Sequence, residues 1–419
     1  MYETFYHNLP NGVQIVHRKT TSPVVYVGLM IGAGTRHELP NENGMAHYIE
    51  HCLFKGTEHY TARQIINRIE GIGGEINAYT TKEETTFYAA TLSNHFRTTL
   101  HLLADMVLRP TFNKKETDKE VTVILDEIES YNDSPSELIY DDFENMIFEG
   151  SSLAMPILGS KKTLRRISKS PNYPLQWMAQ HYRPERMVLF VLGNVSTQQV
   201  ISAATRELLS NSQYPIANSE ASHSQSPIGL CPSYSPSGAS RTYRRHTHQT
   251  HVMLGSHAYP IGHPKQLTMF LLNNILGGGS MSSRLYLSLR EKYGLVYNID
   301  SQAVPLSDTG YWNIYLACEP QYKDQCLELC HKELKQLCDT TLTSTQLQRA
   351  LRQLEGQMAI SAENQENNAL AMAKQMLYHH RAPQWQETFA KVQQITPSQL
   401  QEVANEVFAP EKIYTLLYD

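Results

Sequence analysis

His47, Glu50 and His51 form an H-x-x-E-H string. On a helix these side chains fall at i, i+3 and i+4, so they share one face. Two imidazoles one turn apart can share a tetrahedral Zn²⁺, and the Glu between them can take a proton from water beside the metal. The neighbours Met45, Ala46, Ile49, Leu53 and Phe54 are apolar. The helix therefore belongs to a core, and its polar face must be accounted for. A third ligand has to come from elsewhere. The strongly helical stretch from Lys119 to Ile128 puts Glu120 and Glu127 at i and i+7 on one face, with Asp126 and Glu129 close by. Periodicity does not choose among these four acids.

The elements that must position these residues read as one unit used twice. The most Ser/Pro/Gly-rich stretch lies mid-chain, from Asn211 to Ser240. It reads as a linker. The expected division is 1–212, a linker at 213–240, and 241–419. Tyr182-Arg-Pro-Glu-Arg-Met-Val-Leu resembles Phe408-Ala-Pro-Glu-Lys-Ile-Tyr-Thr, an offset of 226 residues from Pro184 to Pro410. The segment starting at Met45 parallels the one starting at Thr268, at an offset of 223. At the places of His47, Glu50 and His51 the second copy has Phe270, Asn273 and Asn274, which cannot form the same metal site. Each half reads as α+β, a mostly antiparallel sheet with helices packed on one face. Strands are expected near 2–7, 13–18, 23–33, 73–80, 84–92 and 186–193, and again near 249–256, 295–303 and 309–317. An Asn11-Gly12 hairpin joins the first two.

Composition narrows the function classes. Of 419 residues, 41% are hydrophobic and 18% charged, an ordinary globular balance. The net charge of −5 offers no basic field for nucleic acid. No apolar run approaches the ~20 residues that span a bilayer. The N-terminal segment lacks a signal-peptide pattern. Six cysteines without framework spacing fit a reducing, cytoplasmic setting. Cys326, Cys330 and Cys338 read as one helical core face. Arg245-His246-Thr-His248-Gln-Thr-His251 reads as a polar strand entering the second domain, and Gly277-Gly-Gly-Ser280 lacks the spacing of a phosphate loop.

The run from Gly34 through Gly44-Met-Ala-His-Tyr-Ile-Glu-His-Cys-Leu-Phe-Lys-Gly-Thr57 resembles the active-site signature of the M16 metallopeptidases. These are the pitrilysins, insulin-degrading enzymes and mitochondrial processing peptidases, and the likeness is to their two-domain bacterial-type members. It implies the metallohydrolase fold of that family, with His47, His51 and Glu127 as ligands of one Zn²⁺ per chain. It also implies Glu50 as general base and Glu120 as an acid orienting a ligand His. Gly73-Gly-Glu-Ile-Asn77-Ala78-Tyr79-Thr80 resembles the edge strand on which these enzymes lay peptide as an added β-strand. Ser283 to Tyr297 is similar to the family's Arg/Tyr element, which implies that Arg290 and Tyr297 meet the scissile region and that Tyr297 stabilises the oxyanion.

The resemblance thus implies a zinc endopeptidase acting on peptides or unfolded segments in a closed chamber. Four lobes usually form that chamber. This two-lobed chain is then expected to pair, as a homodimer or as a heterodimer with a related subunit. The alternative is a catalytically inactive structural or peptide-binding subunit of the same family.

Overall fold

A computed structural model describes residues 3–209, 238–245 and 247–419. The expected linker lies outside the described residues up to Ser237, as do Cys231 and His246. The described residues form two compact units. The first comprises 3–129, 151–209 and 362–383; the second comprises 130–150, 238–361 and 384–419. Two segments thus cross the division expected from the sequence: 130–150 belongs to the second unit and 362–383 to the first.

The first unit holds a six-stranded sheet. Its strands are β1 (Thr4–Asn8), β2 (Gln14–Lys19), β3 (Val24–Ile31), β4 (Glu75–Thr80), β5 (Thr85–Leu92) and β6 (Met187–Gly193). They lie in the order β1-β2-β6-β3-β5-β4, with only β2 and β6 parallel. Gly12, at φ +98°, makes the expected β1–β2 turn. The central β6, MVLFVLG, is buried along its whole length. A strand apolar on both faces needs cover on both. On one face Ile15, Val27, Leu29, Leu189 and Val191 pack with the Met45–Leu53 and Phe96–Leu108 helices. On the other, Val16, Met30, Val188 and Phe190 pack against Ala369, Met372, Ala373 and Met376 of the Gln365–His379 helix. Polar contacts fix that helix: the Tyr88 hydroxyl donates to Glu366 at 2.6 Å, and Lys374 pairs with Glu84 at 2.7 Å.

The second unit repeats the plan with β7 (Ser240–Tyr243), β8 (Thr250–His257), β9 (Val296–Pro305), β10 (Gly310–Cys318) and β11 (Tyr414–Tyr418). The order is β7-β11-β8-β10-β9, and only β7 and β11 run parallel. Most of its helices cover one face. The Pro135–Ile147 helix takes the other, where Tyr311 donates to Glu144 and Tyr418 to Asp142, each at 2.7 Å. The α+β class and the paired, mostly antiparallel sheets are as expected. The helix on each sheet's second face adds to that picture. Among the described residues, no helix is long and apolar enough to cross a membrane.

One buried group of the first unit couples its stability to pH. His17 on β2 is 1% exposed, and burial pushes its pKa down to about 4. Its Nδ1 lies 3.2 Å from the Thr197 hydroxyl. The unfolded chain takes up this proton near pH 6.5 and the folded chain near 4. The contribution is therefore present above 6.5 and lost as pH falls towards 4. Denaturant unfolding at pH 6.5 and 5 checks this. The His17→Gln variant should lose about 1.5 kcal/mol less than the parent between those values, because the slope rises from half of ~1.4 kcal/mol per pH unit at pH 6.5 towards the full value below it. An identical pH dependence in both proteins would refute it.

Candidate metal centre

The H-x-x-E-H string sits on the expected helix, Met45–Leu53, whose entry is fixed by two devices. Gly44 caps it at φ +91°, and a Cβ there would lie 2.9 Å from the Leu158 carbonyl oxygen. Only Gly meets both demands. The second device is Glu38, a buried carboxylate that the sequence reading missed. Its Oε2 accepts from the Gly44 amide at 2.8 Å and its Oε1 from the Ala46 amide at 2.7 Å. These are first-turn N–H groups without helical partners. Burial raises the Glu38 carboxyl to about 8, against the lowering effect of its hydrogen bonds. An acid just upstream of an apolar helix start was the available signal.

Lys114–Asn132 forms one helix and presents Glu120 and Glu127 on the same side. The structure brings together His47, His51 and Glu127, with one ligand atom from each lying within 4.8 Å of the others. Glu127 Oε2 lies 3.8 Å from His47 Nε2 and 3.5 Å from His51 Nε2. Tetrahedral bonds of ~2.0–2.1 Å set ligand atoms roughly 3.4 Å apart, so this donor set fits Zn²⁺. Among the described residues it is the one such group.

The remaining acids sort themselves by contact. Glu120 Oε2 meets His51 Nδ1 at 3.0 Å, and Lys55 holds the other Glu120 oxygen at 2.7 Å. This leaves Nε2 of His51 facing Glu127 and fixes the ring, the arrangement typical of metal-ligating histidines. Glu129 instead pairs with Lys161, and Asp126 is exposed. Burial depresses the His47 pKa to about 4, helped by the neighbouring His51, so its imidazole is neutral. Burial also lowers His51, but its bonds to Glu127 and Glu120 outweigh this and raise it. Glu127 is lowered by its bond to His51. Among the described residues, the buried Nδ1 of His47 has no hydrogen-bond partner.

Glu50 stands on the same helix face, and burial raises its carboxyl. Its Oε2 accepts a 2.6 Å hydrogen bond from the Thr80 hydroxyl, at the end of β4. Thr80 is another residue the sequence reading did not single out. Among the described residues β4 pairs only with β5, which makes it an edge of the sheet. Asn77, Ala78 and Tyr79 sit on it opposite Tyr88, Phe87 and Thr86.

Arg290 and Tyr297 lie in the second unit. Arg290 is on a π-helical segment, Tyr286–Lys292, and donates to the Tyr286 hydroxyl. Its guanidinium stands 4.7 Å from the Tyr286 ring centre and 5.3 Å from that of Tyr297. Tyr297 is 74% exposed, available to a ligand. The counterpart of the His47 helix is Gln266–Leu276. There Asn273 bonds the Ser301 main chain at 2.9 Å and Asn274 bonds Gln357 at 2.7 Å, so both serve the fold. His251 is buried against the Tyr315 hydroxyl at 2.9 Å, and Cys326 and Cys330 are core residues.

This chain is similar to known proteins along most of its length. A family profile described as "Insulinase (Peptidase family M16)" matches residues 14–161, and one described as "Peptidase M16 inactive domain" matches residues 175–354. A relative from Bacillus subtilis (strain 168), the zinc protease YmxG, is 31% identical over 97% of this chain and 96% of its own. The human mitochondrial-processing peptidase subunit beta is 26% identical over 94% of this chain and 80% of its own. Among solved structures, a protease from Helicobacter pylori matches the fold at a TM-score of 0.89, with 20% identity and full coverage of both chains.

Proposed function

Because the chain belongs to the M16 (insulinase) family of metallopeptidases, we propose that it is a zinc endopeptidase that cleaves peptides or unfolded polypeptide segments. One observation carries the reading: His47, His51 and Glu127 converge at zinc-ligand spacing, with Glu50 on the same helix face. Zn²⁺ held by these three residues supplies Lewis-acid activation of water and of the scissile carbonyl. Glu120 and Lys55 keep the His51 ring in place. Glu50 takes the proton of the attacking water and hands it to the leaving amine. Its burial suits it to both tasks by bringing its pKa closer to working pH. The Thr80 hydroxyl fixes the direction of that carboxylate.

Extended peptide adds to the unpaired edge of β4, with Asn77, Ala78 and Tyr79 supplying main-chain partners. Main-chain pairing of this kind tolerates many sequences. Arg290 and Tyr297 contribute a cation and a phenol to the reacting carbonyl. Two chains together form the chamber, a homodimer being the simplest assembly; relatives named as peptidase subunits also support pairing with a related chain. The five described cysteines are free thiols, which suits a cytoplasmic setting.

The test combines metal analysis with a quenched-fluorescence peptide. The purified chain should hold one zinc, cleave the peptide, lose activity to a chelator and regain it with one equivalent of zinc. A zinc-loaded chain that cleaves no peptide in a diverse panel would point to the inactive, peptide-binding alternative.

A further inference from the structure

Strands β4 and β5 are joined by a turn at 81–84, Thr81-Lys82-Glu83-Glu84, in which both acids and the lysine are buried. Burying three charged residues in a turn costs free energy that an ordinary solvated turn avoids. The turn is held from two sides. On one side the Arg36 amide donates to the Lys82 carbonyl and the Arg36 guanidinium to Glu83, both at 2.7 Å. Lys82 in turn donates to the Met155 carbonyl at 2.6 Å. Two residues beyond Arg36 is Glu38, which caps the helix bearing His47, Glu50 and His51. Turn and metal helix thus share one anchor.

On the other side stands the Gln365–His379 helix. Lys374 donates to Glu84 Oε1 and the Tyr378 hydroxyl to Glu84 Oε2, each at 2.7 Å. Among the described residues these two are the hydrogen-bond partners of that carboxylate, which belongs to a residue only 2% exposed. Without them a buried charge would be left unpaired, and the turn would have to open towards water. Thr80 immediately precedes the turn and pairs with Thr85 just after it. Its hydroxyl is the one that meets Glu50 at 2.6 Å. An opened turn therefore draws Thr80 away from Glu50. Asn77 to Tyr79, further along β4, keep their register with β5.

We infer that Lys374 and Tyr378 are positioning residues for the Glu50 carboxylate: through Glu84 they hold the turn closed, and the closed turn keeps the Thr80 hydroxyl on Glu50. This rests on the peptidase reading for the role of Glu50. The clamp acts on kcat, because it sets the aim of the base. It leaves KM and zinc content alone, because the peptide-pairing part of β4 and the metal ligands lie outside the turn.

A mutant cycle in the full zinc-loaded chain tests this with a quenched-fluorescence peptide. Thr80→Val, and the pair Tyr378→Phe with Lys374→Met, should each lower kcat about tenfold at unchanged KM, because a catalytic group held slightly out of place loses alignment. Each should still hold one zinc per chain. All three changes together should lower kcat no further than Thr80→Val alone, since a clamp that acts through Thr80 then has nothing left to hold. A helix that only stabilised the fold would not produce this masking. If the paired variant does not fold, Tyr378→Phe alone runs the same cycle with a smaller loss, since it keeps the ring and the Lys374 ion pair. Losses that multiply in the combined variant overturn the inference, and so does parental kcat in the Lys374 and Tyr378 variants. Failure of the peptidase reading looks different: the zinc-loaded parent itself cleaves nothing, and the inference falls with it.

Discussion

Glu50→Gln should lower peptide cleavage about a thousandfold while leaving one zinc per chain. General-base catalysis contributes ~10²–10⁴ in rate, and this exchange removes the base alone. The amide has the carboxylate's shape, and its oxygen can still accept the Thr80 hydrogen bond. Glu50 is buried with a raised pKa, so losing its charge relieves desolvation and does not weaken the fold. Metal analysis, thermal unfolding and turnover on one sample give the result. Wild-type turnover with zinc in place would remove Glu50 from the mechanism.

Glu127→Ala should separate metal binding from folding. The Glu127 side chain is 43% exposed on a long helix, so its removal should change the stability of the zinc-free chain by no more than about 0.5 kcal/mol. Zinc affinity should fall by well over the ~10–100-fold that losing an outer-shell partner costs, because a direct ligand is lost. Dialysis against a weak chelator, followed by metal analysis, should leave the parent loaded and the variant empty and inactive. A variant that keeps stoichiometric zinc would show that the third ligand is another residue.

Much of this site is legible in the sequence because local spacing encodes it. H-x-x-E-H fixes one helix face, and i, i+7 places Glu120 and Glu127 together on another. The choice between those two acids is not local. It depends on which end of the His51 ring each one meets: Glu120 reaches Nδ1 and Glu127 faces Nε2. Glu38 escaped notice because a loop acid becomes a helix cap only when the chain folds back onto it. The duplicated sheets were readable from apolar runs and turn residues. The cover of their second faces was not. The Pro135–Ile147 and Gln365–His379 helices carry apolar stripes, but a stripe specifies burial and not the sheet that provides it.

The Gln365–His379 helix also sets a timetable for the nascent chain. Tyr88 meets Glu366 across 278 positions, and Arg18 meets the Ala382 carbonyl across 364. A ribosome that has released the whole metal-bearing half has not yet made the helix that closes its sheet. Until then Val16, Met30, Val188 and Phe190 face solvent or a chaperone. Synthesis of the last part of the chain therefore completes the unit that carries His47, Glu50 and His51. A truncated product ending before residue 365 would be an aggregation-prone fragment, not a free-standing peptidase lobe.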